Sequence, residues 1–213
     1  MFTGIVETCG KIISIFPFGK GKRIEVSMEK ALNELSPGES VAINGVCLTV
    51  VTCTSAVFSV DISEETVRKS TMQFVRPGDR VNLERAIHAN AKFGGHFVLG
   101  HVDCIGHVLG IEKRSSCWMY AFSFAERMKK YLVPEGSIAI DGVSLTISAV
   151  EGESFSVAVV PYTFEKTIIQ GYQRGTAVNY EFDIIGKYVI SALENSSFTK
   201  KFLTLKHLGD LGY

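Results

Sequence analysis

The chain has no excess charge of either sign. Lysine and arginine total 22, aspartate and glutamate total 22, and the formal net charge over 213 residues is zero. No global field therefore draws it to nucleic acid or anionic lipid, and the expected partner is small or neutral. Metal-type cysteine spacing is missing as well. The five cysteines (Cys9, Cys47, Cys53, Cys104 and Cys117) are odd in number and scattered, without a CxxC pair, which excludes a zinc framework and fits reduced thiols in a cytoplasmic protein. No stretch reaches the roughly 20 apolar residues needed to span a bilayer. The opening MFTGIVETCGKIISIF has neither the basic leader nor the unbroken apolar run of a signal peptide. The expectation is a soluble protein with no membrane and no nucleic-acid partner.

What the chain does contain is itself, twice. SVAINGVCLTV at 40–50 returns as SIAIDGVSLTI at 137–147, displaced by 97 with seven identities in eleven. The register persists: Phe58-Ser59-Val60 matches Phe155-Ser156-Val157, Thr66 matches Thr163, Lys69 matches Lys166, and Val81-Asn82-Leu83-Glu84 matches Val178-Asn179-Tyr180-Glu181. At the start the displacement is 96, pairing Gly4-Ile5-Val6-Glu7 with Gly100-His101-Val102-Asp103. A fixed register over such a length is a duplication.

Within each unit, short alternating runs bounded by Gly, Pro, Asn or Asp predict strands, as at Ser40–Ile43, Leu48–Val51 and Val57–Val60. Asn44-Gly45 and Asp141-Gly142 predict two-residue hairpin turns, where positive φ is required. About six strands per unit predict an all-β fold of tandem six-stranded, Greek-key-like barrels, closed so that no sheet edge is exposed. Brief helical patches are expected at Met28–Leu35 and Ala125–Leu132. The first unit is placed at 1–96, with a connector from Ile87 to its end, and the second at 97–186. Residues 187–213 read as a carboxy-terminal helix and tail. In Lys187–Leu203 the residues Val189, Ala192, Leu193, Phe198 and Phe202 recur at helical spacing, a stripe expected to pack against other subunits; Thr204–Tyr213 is expected to fray.

A duplicated unit implies two related pockets and two like ligands. The best-repeated strand-and-turn sets supply the rims. In unit one these are Gly4, Ile5 and Val6, then Cys47, Leu48 and Thr49, then Asp61, Ile62, Ser63, Glu64, Glu65 and Thr66. In unit two they are Gly100, His101 and Val102, then Ser144, Leu145 and Thr146, then Val160, Pro161, Tyr162, Thr163, Phe164 and Glu165. Glycine for close approach, small hydroxyls or a thiol, and apolar walls suit a flat polar heterocycle. His96 and His101 lack a third ligand at convincing spacing, so no metal is expected.

The opening MFTGIVE, the paired NGVCLT and DGVSLT blocks, and FGGHFVLGHVD from Phe93 to Asp103 together resemble riboflavin synthase, with the likeness running from Met1 to about Tyr188. The resemblance implies a homotrimer of two-barrel subunits held by the carboxy-terminal helix, with each active site between the first barrel of one subunit and the second of its neighbour. It implies a dismutation in which two molecules of 6,7-dimethyl-8-ribityllumazine exchange a four-carbon unit, giving riboflavin and 5-amino-6-ribitylamino-2,4-pyrimidinedione without metal or organic cofactor. The chemistry needs a base for the acidic 7-methyl group and a nucleophile or water for the partner ring. His101 and His96 are the natural proton carriers; Cys47, Ser144, Thr49 and Thr146 are ring or nucleophile contacts, and Asp183 anchors or orients by family analogy. Glu135, Leu99 and Tyr162 depart from the family pattern, which usually has lysine, a polar residue and glutamate there. The competing readings are a non-catalytic lumazine or flavin carrier of the antenna type, whose members generally lose the histidine pair, and an oligonucleotide-binding barrel, which needs a basic groove with stacking aromatics.

Overall fold

The computed structural model describes residues 1–32 and 35–195. Six antiparallel strands, β1 (Thr8–Phe18), β2 (Gly21–Met28), β3 (Ser40–Ile43), β4 (Val46–Cys53), β5 (Val57–Ile62) and β6 (Arg80–Arg85), close in the order β1-β2-β5-β4-β3-β6. The second set is β7 (Cys104–Lys113), β8 (Trp118–Ser123), β9 (Ser137–Ile140), β10 (Val143–Glu151), β11 (Ser154–Val159) and β12 (Ala177–Phe182), and it closes in the equivalent order. The predicted all-β tandem barrels are borne out. Alternation makes each one: along β4, Val46, Leu48 and Val50 are buried while Cys47 and Thr49 between them face outward. The first core is mainly aliphatic, around Ile12, Ile24, Val26 and Leu83, and the second is aromatic, around Tyr120, Phe122, Phe155 and Tyr180.

Asn44 (φ 48°) and Gly45 (φ 75°), and likewise Asp141 (φ 43°) and Gly142 (φ 76°), form the two expected two-residue turns. The turns meet back to back. A Cβ on Gly45 would lie 2.6 Å from the backbone nitrogen of Gly142, so the barrels approach here as closely as backbone permits. Two asparagines then stitch the seam. Asn82 donates from Nδ2 to the Asp141 carbonyl (2.9 Å) and accepts at Oδ1 from the Ile168 amide (2.9 Å). Asn179 donates to the Asn44 carbonyl (2.9 Å) and accepts from the Thr71 amide (2.7 Å). Phe2, Ala42, Val98 and Ala139 form a small apolar cluster of their own, with Phe2 and Val98 bridged.

Short helices α1 (Glu64–Lys69) and α2 (Pro161–Lys166) occupy equivalent places after β5 and β11. The helical patch expected at Met28–Leu35 includes residues 33 and 34, which lie outside the described residues. Met28 ends β2, Leu32 and Leu35 are buried, and the Leu35 amide donates to the Leu32 carbonyl at 3.3 Å; Pro37 disfavours helix at Ser36. Its counterpart forms as a 3-10 helix at Glu126–Tyr131. The last helix, α3 (Ile184–Asn195), begins earlier than expected because the Asp183 carboxylate accepts the Ile185 amide at 2.9 Å and its carbonyl accepts that of Lys187. Ion pairs Lys187–Asp103 (2.5 Å) and Lys130–Glu194 (2.6 Å) tie α3 to the second barrel. Phe198, Phe202 and Thr204–Tyr213 lie outside the described residues.

One turn carries an ionisable group where its twin does not. Asp141 is buried and accepts from the Asn179 amide (2.8 Å) and the Tyr172 hydroxyl (2.5 Å), and burial pushes its carboxyl up to about 7. A raised folded-state value means that this residue's contribution to stability is complete below the ordinary value of 3.8 and is lost as pH rises to about 7. Asp141→Asn copies the Asn44 turn and removes that dependence. Thermal melts of both proteins between pH 4 and 8 should show the variant's midpoint falling less with rising pH than the wild type's, and parallel curves would refute this.

Candidate functional site

Each unit opens with a segment pinned by a buried carboxylate of its own last strand. Glu84 on β6 accepts the Thr3 amide (2.6 Å), the Thr3 hydroxyl (2.8 Å) and the Gly4 amide (3.0 Å). Glu181 on β12 accepts the amides of Leu99 (2.6 Å), Gly100 (2.9 Å) and His101 (3.1 Å). Burial raises both carboxyls above the usual value, and the backbone donors pull them back. Sequence reasoning saw these glutamates as repeat partners and gave them no role; their equivalence in register was the available signal.

The pinned segments then cross. The Gly4 carbonyl accepts the amide of Ser144, in the second barrel, at 2.7 Å, and the Gly100 carbonyl accepts that of Cys47, in the first, at 2.9 Å. Both glycines hold positive φ (77° and 80°), and a Cβ on either would fall 2.6 Å from the Ser144 Cβ or 2.4 Å from the Cys47 Cβ. The expected rims therefore group the other way. Gly4-Ile5-Val6 belongs with Ser144, and Gly100-His101-Val102 belongs with Cys47, because each lead segment leaves its own barrel before it reaches a rim.

Against the first barrel lies a cleft of about 340 Å³ in which Cys47, Ser63, Glu65 and Thr66 meet Gly100, His101 and Val102. His101 is exposed there. Ser63 caps α1 by accepting the Thr66 amide (3.2 Å), Glu65 pairs with Lys69 at 2.7 Å, and Glu64 is exposed. Beside the second barrel, Val6, Tyr162, Glu165 and Lys166 line a cleft of about 420 Å³ that continues onto Glu29, Lys30 and Arg80 of the first. Nearby in sequence, His96 is buried with Nδ1 2.7 Å from the Ser144 hydroxyl, while its Nε2 finds no partner among the described residues. Burial lowers the His96 pKa, and the Asp183 carboxylate partly opposes this. The two histidines thus occupy different surroundings.

Several expected contacts are taken up elsewhere. Leu48, Ile62 and Leu145 turn their side chains into the barrel cores, because alternation places them opposite the outward Cys47, Asp61 and Ser144. Phe164 stacks on Trp118 with ring centres 3.8 Å apart and planes 2° from parallel, so that face is occupied. Asp61 is held by Arg23 in a two-pronged pair (2.6 and 2.8 Å), which keeps its carboxyl below the usual range. Thr49 and Thr146 are exposed on the outer faces beside Cys47 and Ser144. Val160 and Pro161 start α2, where Thr163 accepts the Thr167 hydroxyl through its carbonyl (2.8 Å). Glu135 adopts φ 66°, and Leu99 is half-buried.

The lumazine binding domain matches the chain twice, at residues 3–86 and 99–183. Riboflavin synthase of Bacillus subtilis (strain 168) is 39% identical over 215 residues, covering 100% of both chains, and that of Bacillus amyloliquefaciens is 41% identical over 205 residues, covering 96% of this chain and 95% of the relative. This chain belongs to the riboflavin synthase family. It is accordingly an enzyme, of the transferase class, built on two lumazine-binding domains. Riboflavin synthase of Schizosaccharomyces pombe is 37% identical over 91% of this chain and 94% of its own. Among solved structures, LumP complexed with 6,7-dimethyl-8-(1'-D-ribityl) lumazine matches with a TM-score of 0.75 and 23% identity, over 85% of this chain and 98% of that one. At that identity the likeness speaks to fold alone.

The crossing has a measurable requirement. Gly100→Ala adds both positive-φ strain and a clash with Cys47, and should lower unfolding free energy by about 2 kcal/mol or more in denaturant titration. A change below about 0.5 kcal/mol would mean that the segment has room to spare.

Proposed function

We propose that this chain converts two molecules of 6,7-dimethyl-8-ribityllumazine into riboflavin and 5-amino-6-ribitylamino-2,4-pyrimidinedione, using its own side chains without metal or organic cofactor. The observation that carries the proposal is the crossed pair of segments, which sets Gly100-His101-Val102 against Cys47 and Gly4-Ile5-Val6 against Ser144, so that one chain presents two related but chemically different sets of side chains. A reaction whose donor and acceptor are the same compound needs that arrangement. Stacking two rings in a fixed pose makes the encounter effectively unimolecular, worth up to about 7–11 kcal/mol.

His101, exposed beside Cys47, is the group proposed to carry the proton of the 7-methyl carbon. His96 is held neutral by burial, so at neutral pH its Nδ1 is free to accept the Ser144 hydroxyl proton, which makes that oxygen the candidate nucleophile toward a ring. Thr49 and Thr146 flank the rings from the outer barrel faces, and Asp183 steadies charge near His96. We place the two binding units at residues 1–96 and 97–186, and assign 187–213 to assembly of a homotrimer. Ile185, Tyr188, Val189 and Leu193 on α3 are largely exposed and supply an apolar face for that contact. In the trimer, first and second barrels of neighbouring subunits face each other across the rings.

The LumP likeness in fold favours one second reading, a carrier that binds the lumazine without turnover. Incubating purified protein with the lumazine separates the two: protein-dependent appearance of riboflavin fluorescence supports the enzyme, and binding without turnover supports the carrier. His101→Ala should fold and bind normally while losing turnover by about 10²–10⁴-fold. Near-normal turnover would remove His101 from the chemistry.

A further inference from the structure

The two clefts correspond at three positions and otherwise differ, the second being completed by Glu7, Thr8, Cys9, Glu29, Lys30 and Arg80 of the first unit. Glu65 lines the cleft beside Cys47 and is neutralised by Lys69 one helical turn later, at 2.7 Å. The same register position in the second barrel is Tyr162, in the first turn of α2, lining the other cleft together with Val6 and Lys166. Three walls thus correspond across the duplication: Val102 to Val6, Glu65 to Tyr162, and Lys69 to Lys166. Where the first cleft presents a closed ion pair, the second presents a phenol ring that is 73% exposed and a lysine without a carboxylate partner among the described residues.

We infer that Tyr162 is the ring-stacking residue of the second cleft, making that site recognise a flat heterocycle by its face while the first site recognises it by polar contacts. This rests on the lumazine-binding reading proposed above and assigns the difference between its two sites. The Tyr162 ring covers one face of the bound ligand, and the Lys166 ammonium lies within the same wall, suited to the electron-rich carbonyl edge of a pteridine or flavin. Glu65, already satisfied by Lys69, offers no such face. The two sites therefore differ in affinity for the same ring.

The test is titration of the intact protein with riboflavin, followed by flavin fluorescence and calorimetry, for wild type, Tyr162→Phe, Tyr162→Ala and Glu65→Ala. Expected is that Tyr162→Ala weakens one class of sites about tenfold and leaves the other unchanged. Tyr162→Phe keeps wild-type affinity, and Glu65→Ala leaves the Tyr162-dependent class untouched. In steady state with the lumazine, Tyr162→Ala should raise KM several-fold with a smaller change in kcat. Unchanged binding in Tyr162→Ala, or equal weakening of both classes, overturns the inference while leaving the proposed function intact. A wild-type protein that binds neither riboflavin nor the lumazine overturns the function and the inference together. Tyr162 is exposed, so folding should survive replacement; a melting temperature and oligomeric mass equal to wild type exclude an indirect cause.

Discussion

Glu84 and Glu181 bury their carboxylates where water cannot reach, and each recovers the lost hydration with backbone amides, from residues 3 and 4 in one case and 99–101 in the other. A carboxylate desolvated without such donors costs several kcal/mol, so the lead segments have no freedom to wander. Their direction is fixed at that point, and the next residues, Gly4 and Gly100, are aimed at the opposite barrel. Glycine is required there because backbone meets backbone with a side-chain Cβ already in contact. The course of both lead segments follows from these two anchor points.

A composite cleft has a consequence for how the chain can be divided. Each barrel closes its own sheet and fills its own core, so each has the physical means to hold together alone. Neither supplies alone the lining of the cleft in which Cys47 meets His101. The first barrel lacks His101 without the second unit's lead segment, and Ser144 loses Gly4 without the first unit's. The seam of Asn82 and Asn179 keeps the crossing in register, since both asparagines spend side-chain donors and acceptors across it.

The barrels, their hairpin turns and the duplication were legible because each rests on a local rule: period-two burial, Asn-Gly or Asp-Gly at positive φ, and a constant displacement. The inward aim of Leu48 and Leu145 corrects their expected place on the rims, since alternation that turns Cys47 and Ser144 outward turns their neighbours in. The crossing was not legible. A repeat states which residues are equivalent and says nothing of which barrel they pack against, so Gly4 was grouped with Cys47 when it meets Ser144. The Trp118–Phe164 stack was hidden for a related reason, because it joins a strand start to a helix far along the chain, through shape instead of pattern.

Divergence between the copies is most informative where the backbone has stayed the same. Asn44 and Asp141 occupy identical turns and make the same bond to the amide of a seam asparagine, yet only Asp141 can also take the Tyr172 hydroxyl, because its counterpart position holds Val75. That change is internal and alters how the second barrel responds to protons. Glu65 and Tyr162, by contrast, differ at an exposed wall where no packing demand separates them. Sequence drift under a packing constraint keeps side-chain volume and polarity matched to the neighbours; drift at a ligand wall is free to follow the ligand. In the reaction proposed above, where one compound takes two chemical roles, the second kind of change is the one required, since identical sites would bind both copies alike and distinguish neither.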